Sequence, residues 1–246
     1  MALFNFNKTS NPVFQEKVLQ RESYKIEALG QEKMTVKGAI NKSFLLFLIM
    51  MVTVFISYSI PNQLFLYGGA IAGLIIVIIA SFKPALSPYL APAYALAEGF
   101  FVGTITAIFA SQYQGIVFHA VSLTISMLLL MLIIYRLELI KVTQKLRAGV
   151  IMATGAIALV YLMSFVMSFF GINMPYLHEG GTFGILISVV IIGIAAMNLL
   201  LDFDSFEKGE QYGAPKYMEW FSAMGLLITL VWLYIEFLRL LSKLRD

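Results

Sequence analysis

Carboxylates cluster where a long apolar run ends, in the stretch "AAMNLLLDFDSFEKGEQYG" at residues 195–213, which holds Asp202, Asp204, Glu207 and Glu210. A carboxylate at the C-terminal end of a helix meets partial negative charge, and neighbouring carboxylates at low dielectric cannot all ionise. Such groups can hold a proton near neutral pH or bind a hard cation such as Ca²⁺. The simpler interpretation is that these acids mark the start of a polar loop.

The elements that carry these residues belong to a membrane protein. The 246 residues are 60% hydrophobic and only 13% charged, and the mean hydropathy is +0.85. A soluble domain is nearer half apolar and about a quarter charged. No cysteine is present, which excludes disulfides and thiolate sites. We expect no signal peptide, because the first apolar run begins only near Ile40.

Seven apolar segments are long enough to cross a bilayer, which needs roughly 20 residues each. The pattern predicts an all-α membrane protein of seven transmembrane helices at residues 40–246, behind an N-terminal segment at residues 1–39. Apolar residues among the charges of residues 12–36 indicate an amphipathic surface helix, with a flexible polar tail as the alternative. The predicted spans are about 40–60, 62–82, 91–112, 116–135, 149–170, 182–201 and 218–240.

Lys and Arg set the expected orientation. They occur in the N-terminal segment and in the second, fourth and sixth loops, and are absent from the first, third and fifth. This alternation predicts a cytoplasmic N-terminus. Three basic residues near the C-terminus do not fit this alternation, because seven spans would place them outside: Arg239, Lys243 and Arg245. Either the short tail tolerates them, or the last segment dips into the membrane and returns.

Ionisable residues inside the spans are costly and are therefore candidate functional residues. Glu98 lies about seven residues into the third predicted span, roughly 10 Å below the cytoplasmic surface. Asp202 and Glu219 lie at the cytoplasmic ends of the sixth and seventh spans, so a bundle can bring these carboxylates together. Asp202, Asp204 and Glu98 are the candidate cation ligands. Other ionisable groups near the outer ends are Glu236 and His119.

Several functions are excluded or disfavoured. "DFDSFEKGE" fails as an EF-hand loop because Phe206 takes its fifth position and Glu207 its sixth. No hydrolase, zinc-protease or Walker motif appears, and no Lys lies deep in a span to form a Schiff base. We therefore predict a protein that is not an enzyme, without a cofactor and without a nucleic-acid partner.

The chain resembles the Bax-inhibitor/YccA-like family, also called the transmembrane BAX-inhibitor-motif family, and most resembles a bacterial branch. The pieces that carry the resemblance run from residue 10 to the C-terminus: "SNPVF", "MTVKGAINKSFLLF", "LAPAYALAEGFFVG" and the long "LDFDSFEKGEQYGAPKYMEWFSAMGLLITLVWLYIEFLRLLSKL". The resemblance implies a seven-helix fold with the last helix near the bundle centre. It also implies a pH-sensitive calcium leak, in which two aspartates on the last two helices share a proton on the cytoplasmic side.

Matched residue by residue, the resemblance gives Asp202 the role of the sixth-helix aspartate and Glu98 that of the family's third-helix glutamate. The seventh-helix aspartate has two candidate positions. Matching "LYIEF" to the family's "LYLDF" selects Glu236, which would lie roughly 27 Å from the inner face. The match that preserves the pattern along the span selects Thr229 instead, which cannot share an acidic proton. The sensor would then combine Asp202 with Glu98 or Glu219.

The resulting hypothesis is a pH-sensitive cation leak channel in the bacterial inner membrane. Its proton-sensing gate would comprise Asp202, Glu98, Glu219 and Thr229, with Ca²⁺ as the transported ion and lipid and protons as the other partners. One alternative is a non-channel scaffold that regulates membrane proteins or modulates a protease through the N-terminal segment and inner loops. Another is a proton-driven solute transporter.

Overall fold

A computed structural model describes residues 32–169 and 181–245. Seven long helices make up most of these residues, and each is long and apolar enough to cross a membrane, which confirms the predicted fold class. The predicted amphipathic segment lies almost wholly outside the described residues. The helices are α1 (Val36–Ser59), α2 (Gln63–Phe82), α3 (Ser87–Gln112), α4 (Ile116–Arg136), α5 (Gln144–Phe169), α6 (Thr182–Gln211) and α7 (Met218–Lys243).

Three helices begin earlier than the hydropathy predicted. Thr35 caps α1 by accepting a hydrogen bond from the backbone of Gly38, so α1 starts inside the predicted N-terminal segment. A 3₁₀ turn at Pro84–Leu86 leads into α3, whose first turn accommodates Pro88 because N–H groups there need no helical partner. Thr143 accepts from the Leu146 backbone and begins α5 before the apolar run. Capping by Thr35 and Thr143, which hydropathy does not register, sets the starts of α1 and α5.

Helix α6 ends ten residues later than predicted, at Gln211 instead of 201. Asp202 therefore lies within the helix, roughly 13 Å before its end, and the expectation that it faces a helix C-terminus is wrong. The acidic stretch is likewise helical and is not a polar loop. Gly213 adopts a positive φ of 62°, and the Ala214 N–H donates to the Gly209 carbonyl in the pattern that ends many helices.

The chain divides into two compact units. One comprises the chain up to Gln112 together with Asp202–Ile228, so it contains α1 to α3, the end of α6 and the start of α7. The other comprises Tyr113–Leu201 and Thr229–Asp246, with α4, α5 and the remainder of α6 and α7. Helix α7 is the most buried of the seven, with 67% of its most apolar stretch buried against 11% in α5.

Small residues bring α3 close to both α1 and α2 in the first unit. A methyl group added to Gly99 would overlap Thr53 of α1, and one added to Gly103 would overlap the Val54 carbonyl. On α2, a methyl at Gly69 would lie 2.6 Å from the Ala97 carbonyl oxygen of α3. Gly69 and Gly73 on α2, like Gly99 and Gly103 on α3, are four residues apart and lie at these helix contacts, where they allow the backbones to approach.

The outward surfaces of α1, α2, α4 and α5 carry large exposed apolar side chains. Phe55 is 74% exposed, Leu64 76% and Phe118 74%. Because hydrocarbon solvates such groups and cannot satisfy polar ones, these surfaces suit contact with lipid tails. The predicted intramembrane histidine, His119, is exposed and meets Phe118 edge-on.

The basic residues at the end of α7, which contradicted the charge alternation, all have protein partners in the second unit. Arg239 pairs with Glu236 at 3.1 Å. The Lys243 ammonium donates to the Gly184 carbonyl and the Ser188 hydroxyl, and Arg245 donates to the Gln114 carbonyl. Each of these basic side chains therefore has a hydrogen-bond acceptor or a carboxylate within the protein.

The close approach of α1 and α3 predicts a large cost for a side chain at Gly103. Gly103→Leu should lower the free energy of unfolding by about 3 kcal/mol or more, because the new atoms meet backbone that cannot move aside. Gly155→Leu is the matched control, since nothing lies within 4 Å of its added carbon. Thermal unfolding in detergent measures both. Equal melting temperatures for the two variants would contradict the packing described.

Candidate functional site

Asp202 faces the last helix within the first unit. Its carboxylate Oδ1 lies 3.7 Å from the position that a Cβ on Gly225 would occupy. Gly225 lies in the first half of α7, and both residues lie in helices that are long and apolar enough to cross a membrane. A glycine at this point leaves space beside the carboxylate, so the α6 acid reaches the α7 backbone surface. This contact joins the sixth and seventh helices within the first unit.

Glu98 occupies a separate position between α2 and α3 in the same unit. Its carboxylate is hydrogen-bonded to the Tyr94 hydroxyl one turn earlier on α3. Gly73 of α2 makes room for it, since a methyl there would lie 2.7 Å from Glu98 Oε2. Because α3 begins at Ser87, Glu98 lies about 11 residues along the helix, roughly 16 Å. It thus lies farther from the start of its helix than the predicted span boundary at residue 91 implied.

Glu219, at the first turn of α7, is held by the start of α1. Its Oε1 accepts hydrogen bonds from the Thr35 backbone at 3.0 Å and from the Thr35 hydroxyl at 3.1 Å. Its Oε2 pairs with the Lys42 ammonium at 2.7 Å. Gly38 is necessary for this arrangement because any side chain there would overlap the carboxylate. Glu219 is only 2% exposed, so this buried ion pair fastens α1 to α7.

The chain from residue 32 to the first residue of α1 extends this attachment to the α6–α7 turn. Residues 32–36, which we call the strap, lie antiparallel to the turn, with the Met34 N–H donating to the Ala214 carbonyl at 2.7 Å. A bridge joins Lys33 to Pro215. Met34 is 1% exposed and lies against Gly209, where a side chain would displace it. The strap therefore fixes the turn that follows the Asp202 helix.

The other three acids of residues 195–213 have different surroundings. Asp204 is buried and pairs with Lys208 one turn on at 2.8 Å, and Glu210 accepts from the Val36 backbone at 3.3 Å. Glu207 is exposed. Among the residues that the structure describes, no three His, Asp or Glu side chains gather to hold a metal ion.

The two candidates for the seventh-helix acid both lie in the second unit. Glu236 is 1% exposed, and its Oε1 accepts from the Tyr161 hydroxyl at 2.7 Å, from the Trp232 indole at 3.3 Å and from Arg239 at 3.1 Å. Thr229 is 7% exposed. Glu236 thus has a complete set of donors of its own.

The buried acids stand out in the sequence more clearly than their partners do. The Tyr94–Glu98 and Asp204–Lys208 pairs have the i,i+4 spacing, and Glu236–Arg239 has the i,i+3 spacing, so helical geometry could have predicted them. Thr35 and Lys42 could not be found in this way, because 184 residues separate Thr35 from Glu219. Only tertiary packing brings these groups together.

A comparison with protein families decides what kind of membrane protein this is. The model of the Bax inhibitor 1 like family matches residues 11–246. The chain belongs to this family. The resemblance drawn from the residues is thereby confirmed at the level of the Bax-inhibitor family, and this Bax inhibitor 1 like protein is an integral membrane protein. No curated protein and no solved structure matches the chain.

The Glu219–Lys42 pair yields a prediction about stability. Lys42→Met should lower the free energy of unfolding by about 2 to 3 kcal/mol, because it leaves a buried carboxylate without its counter-charge. Adding Glu219→Met should recover part of that loss, since two apolar groups replace the pair. The matched control is Glu138–Lys141, an exposed pair 4.0 Å apart, whose removal should cost less than about 1 kcal/mol.

Thermal unfolding of the single and double variants in detergent measures how much each of the two ion pairs contributes to stability. If Lys42→Met and Lys141→Met lowered the melting temperature equally, the account of the α1–α7 attachment would be wrong.

Proposed function

We propose that this Bax inhibitor 1 like protein is a pH-sensitive cation leak channel that passes Ca²⁺, with Asp202 as its proton-sensing group. The observation that carries the proposal is the position of Asp202, inside a membrane helix with its carboxylate beside Gly225 of the last helix. A change of charge there alters the electrostatics of the α6–α7 contact, since a low dielectric strengthens such effects. Family membership supports the same interpretation.

Glu98 is the second carboxylate of the proposed channel. It lies in the interior of α3, where its hydrogen bond to Tyr94 holds the side chain between α2 and α3. Glu219 has a different role in the proposal, because its bonds to Thr35 and Lys42 make it the anchor of the last helix. Sharing of a proton between Asp202 and Glu98, Glu219 or Thr229 stays a prediction, as does cation binding by Asp202, Asp204 and Glu98.

The proposal includes a location and an orientation. We place the protein in a bacterial inner membrane with the N-terminus in the cytoplasm, since the basic residues between spans alternate in that sense. The internal partners of Arg239, Lys243 and Arg245 remove the main objection, because those charges are satisfied by protein groups. Asp202 and the strap would then lie towards the cytoplasmic side.

The Asp202 proposal is tested by Ca²⁺ flux into liposomes between about pH 5 and about pH 8, because a group that cannot bind a proton cannot transmit the pH change. Asp202→Asn should make the flux nearly independent of pH, whereas wild-type flux should change several-fold. Glu207→Gln is the matched control, an exposed acid on the same helix. An unchanged pH profile in Asp202→Asn, with folded protein, would reject Asp202 as the sensor.

A second candidate function, a scaffold that regulates membrane proteins, is favoured by the strap. Residues 32–36 attach the N-terminal segment to the α6–α7 turn, so a partner bound to that segment would be held against the membrane domain. Deleting residues 1–30 should then abolish co-purification of the partner and leave Ca²⁺ flux within about twofold of wild type. Retained co-purification, measured from cross-linked membranes, would reject this function.

A further inference from the structure

The cations of the chain differ in whether a carboxylate neutralises them. Lys42, Lys208 and Arg239 each pair with a carboxylate within 3.1 Å, and Lys216 pairs with Glu32. By contrast, Arg136 and Lys145 form no ion pair with any residue that the structure describes. Lys141 has only Glu138, at 4.0 Å and with both side chains more than three-quarters exposed.

These three under-neutralised cations lie together in the segment Arg136–Lys145, which we call the basic loop. It joins the end of α4 to the start of α5, so it lies where two membrane spans leave the hydrocarbon. Lys37 and Lys83 are also exposed and have no ion pair, but each stands alone in its part of the chain. Among the residues that the structure describes, cations without an ion pair are therefore concentrated in the basic loop.

The basic loop also presents apolar side chains outward. Leu137 is 64% exposed and Leu139 67%. Between them Glu138 takes a positive φ of 51°, and the Leu139 N–H donates to the Ile134 carbonyl, which ends α4. A non-glycine residue in this left-handed conformation is uncommon. The turn leaves both leucines exposed among the basic residues.

Alternating basic and apolar groups at the end of membrane spans fit one kind of partner. Leucine side chains enter the region between headgroups and acyl chains, while Lys and Arg remain at the level of the phosphates. Free cations there attract anionic headgroups and gain nothing comparable from zwitterionic ones. We propose that the basic loop is a binding surface for anionic phospholipid headgroups, read by Arg136, Lys141 and Lys145 and anchored by Leu137 and Leu139.

The experiment titrates phosphatidylglycerol into the full-length protein in neutral detergent and follows the melting temperature. The lipid should stabilise the protein, and the triple variant Arg136→Gln/Lys141→Gln/Lys145→Gln should need at least about tenfold more lipid for half of the effect. Leu137→Ser/Leu139→Ser should need a few-fold more, because the apolar anchor is lost. Phosphatidylcholine should stabilise wild type and the triple variant equally.

Two controls separate the basic loop from general charge effects. Lys37→Gln/Lys83→Gln removes two unpaired cations elsewhere and should leave the phosphatidylglycerol midpoint unchanged. Lys141→Arg/Lys145→Arg keeps the charge and should retain wild-type affinity. All substituted side chains are exposed, and each variant's melting temperature without lipid reports its fold.

The proposal is overturned if the triple variant and the Lys37→Gln/Lys83→Gln variant respond alike. It is also overturned if phosphatidylcholine stabilises wild type as strongly as phosphatidylglycerol does. Equal stabilisation by free inorganic phosphate would show a simple anion effect and would likewise reject a lipid surface.

Discussion

A carboxylate inside a membrane span must be satisfied by protein groups, because hydrocarbon offers it neither hydrogen bonds nor counter-charge. Much of the polar structure of this protein follows from that constraint. Glu219 is held by Thr35 and Lys42, and Glu236 by donors from Tyr161, Trp232 and Arg239. Each set of hydrogen bonds and ion pairs joins distant parts of the chain or adjacent turns of a helix, so the buried carboxylates also stabilise the fold.

The buried carboxylates differ in which part of the protein they affect. Glu219 and the strap fix the first turn of α7 and the turn before it, so they control where the last helix begins. Asp202 lies two turns or more before that attachment on α6 and faces Gly225. A titrating group can change the protein in a defined way only if the helices around it are held in place. The strap and the Lys42–Glu219 ion pair hold the α6–α7 turn and the start of α7 near Asp202. The proposed sensor and its support thus come from different residues.

The sequence predicted the helices well because apolar length is a direct consequence of bilayer thickness. It predicted helix ends poorly where capping and polar turns decide them, as at Thr143 and at Gln211. The error at α6 mattered most, since the argument from a helix C-terminus at Asp202 depended on it. Asp202 and Glu98 were identified from their positions in or beside the apolar spans, but the Lys42–Glu219 pair required contacts between residues far apart in sequence.

The central claim is that the protein conducts Ca²⁺. The most direct measurement is current through a planar bilayer containing the purified protein, with a Ca²⁺ gradient as the only ionic asymmetry. The account predicts discrete openings whose reversal potential follows the Ca²⁺ gradient and whose open probability depends on pH on one side of the membrane. A bilayer that shows no current above the protein-free baseline at any pH, with folded protein inserted, would contradict it.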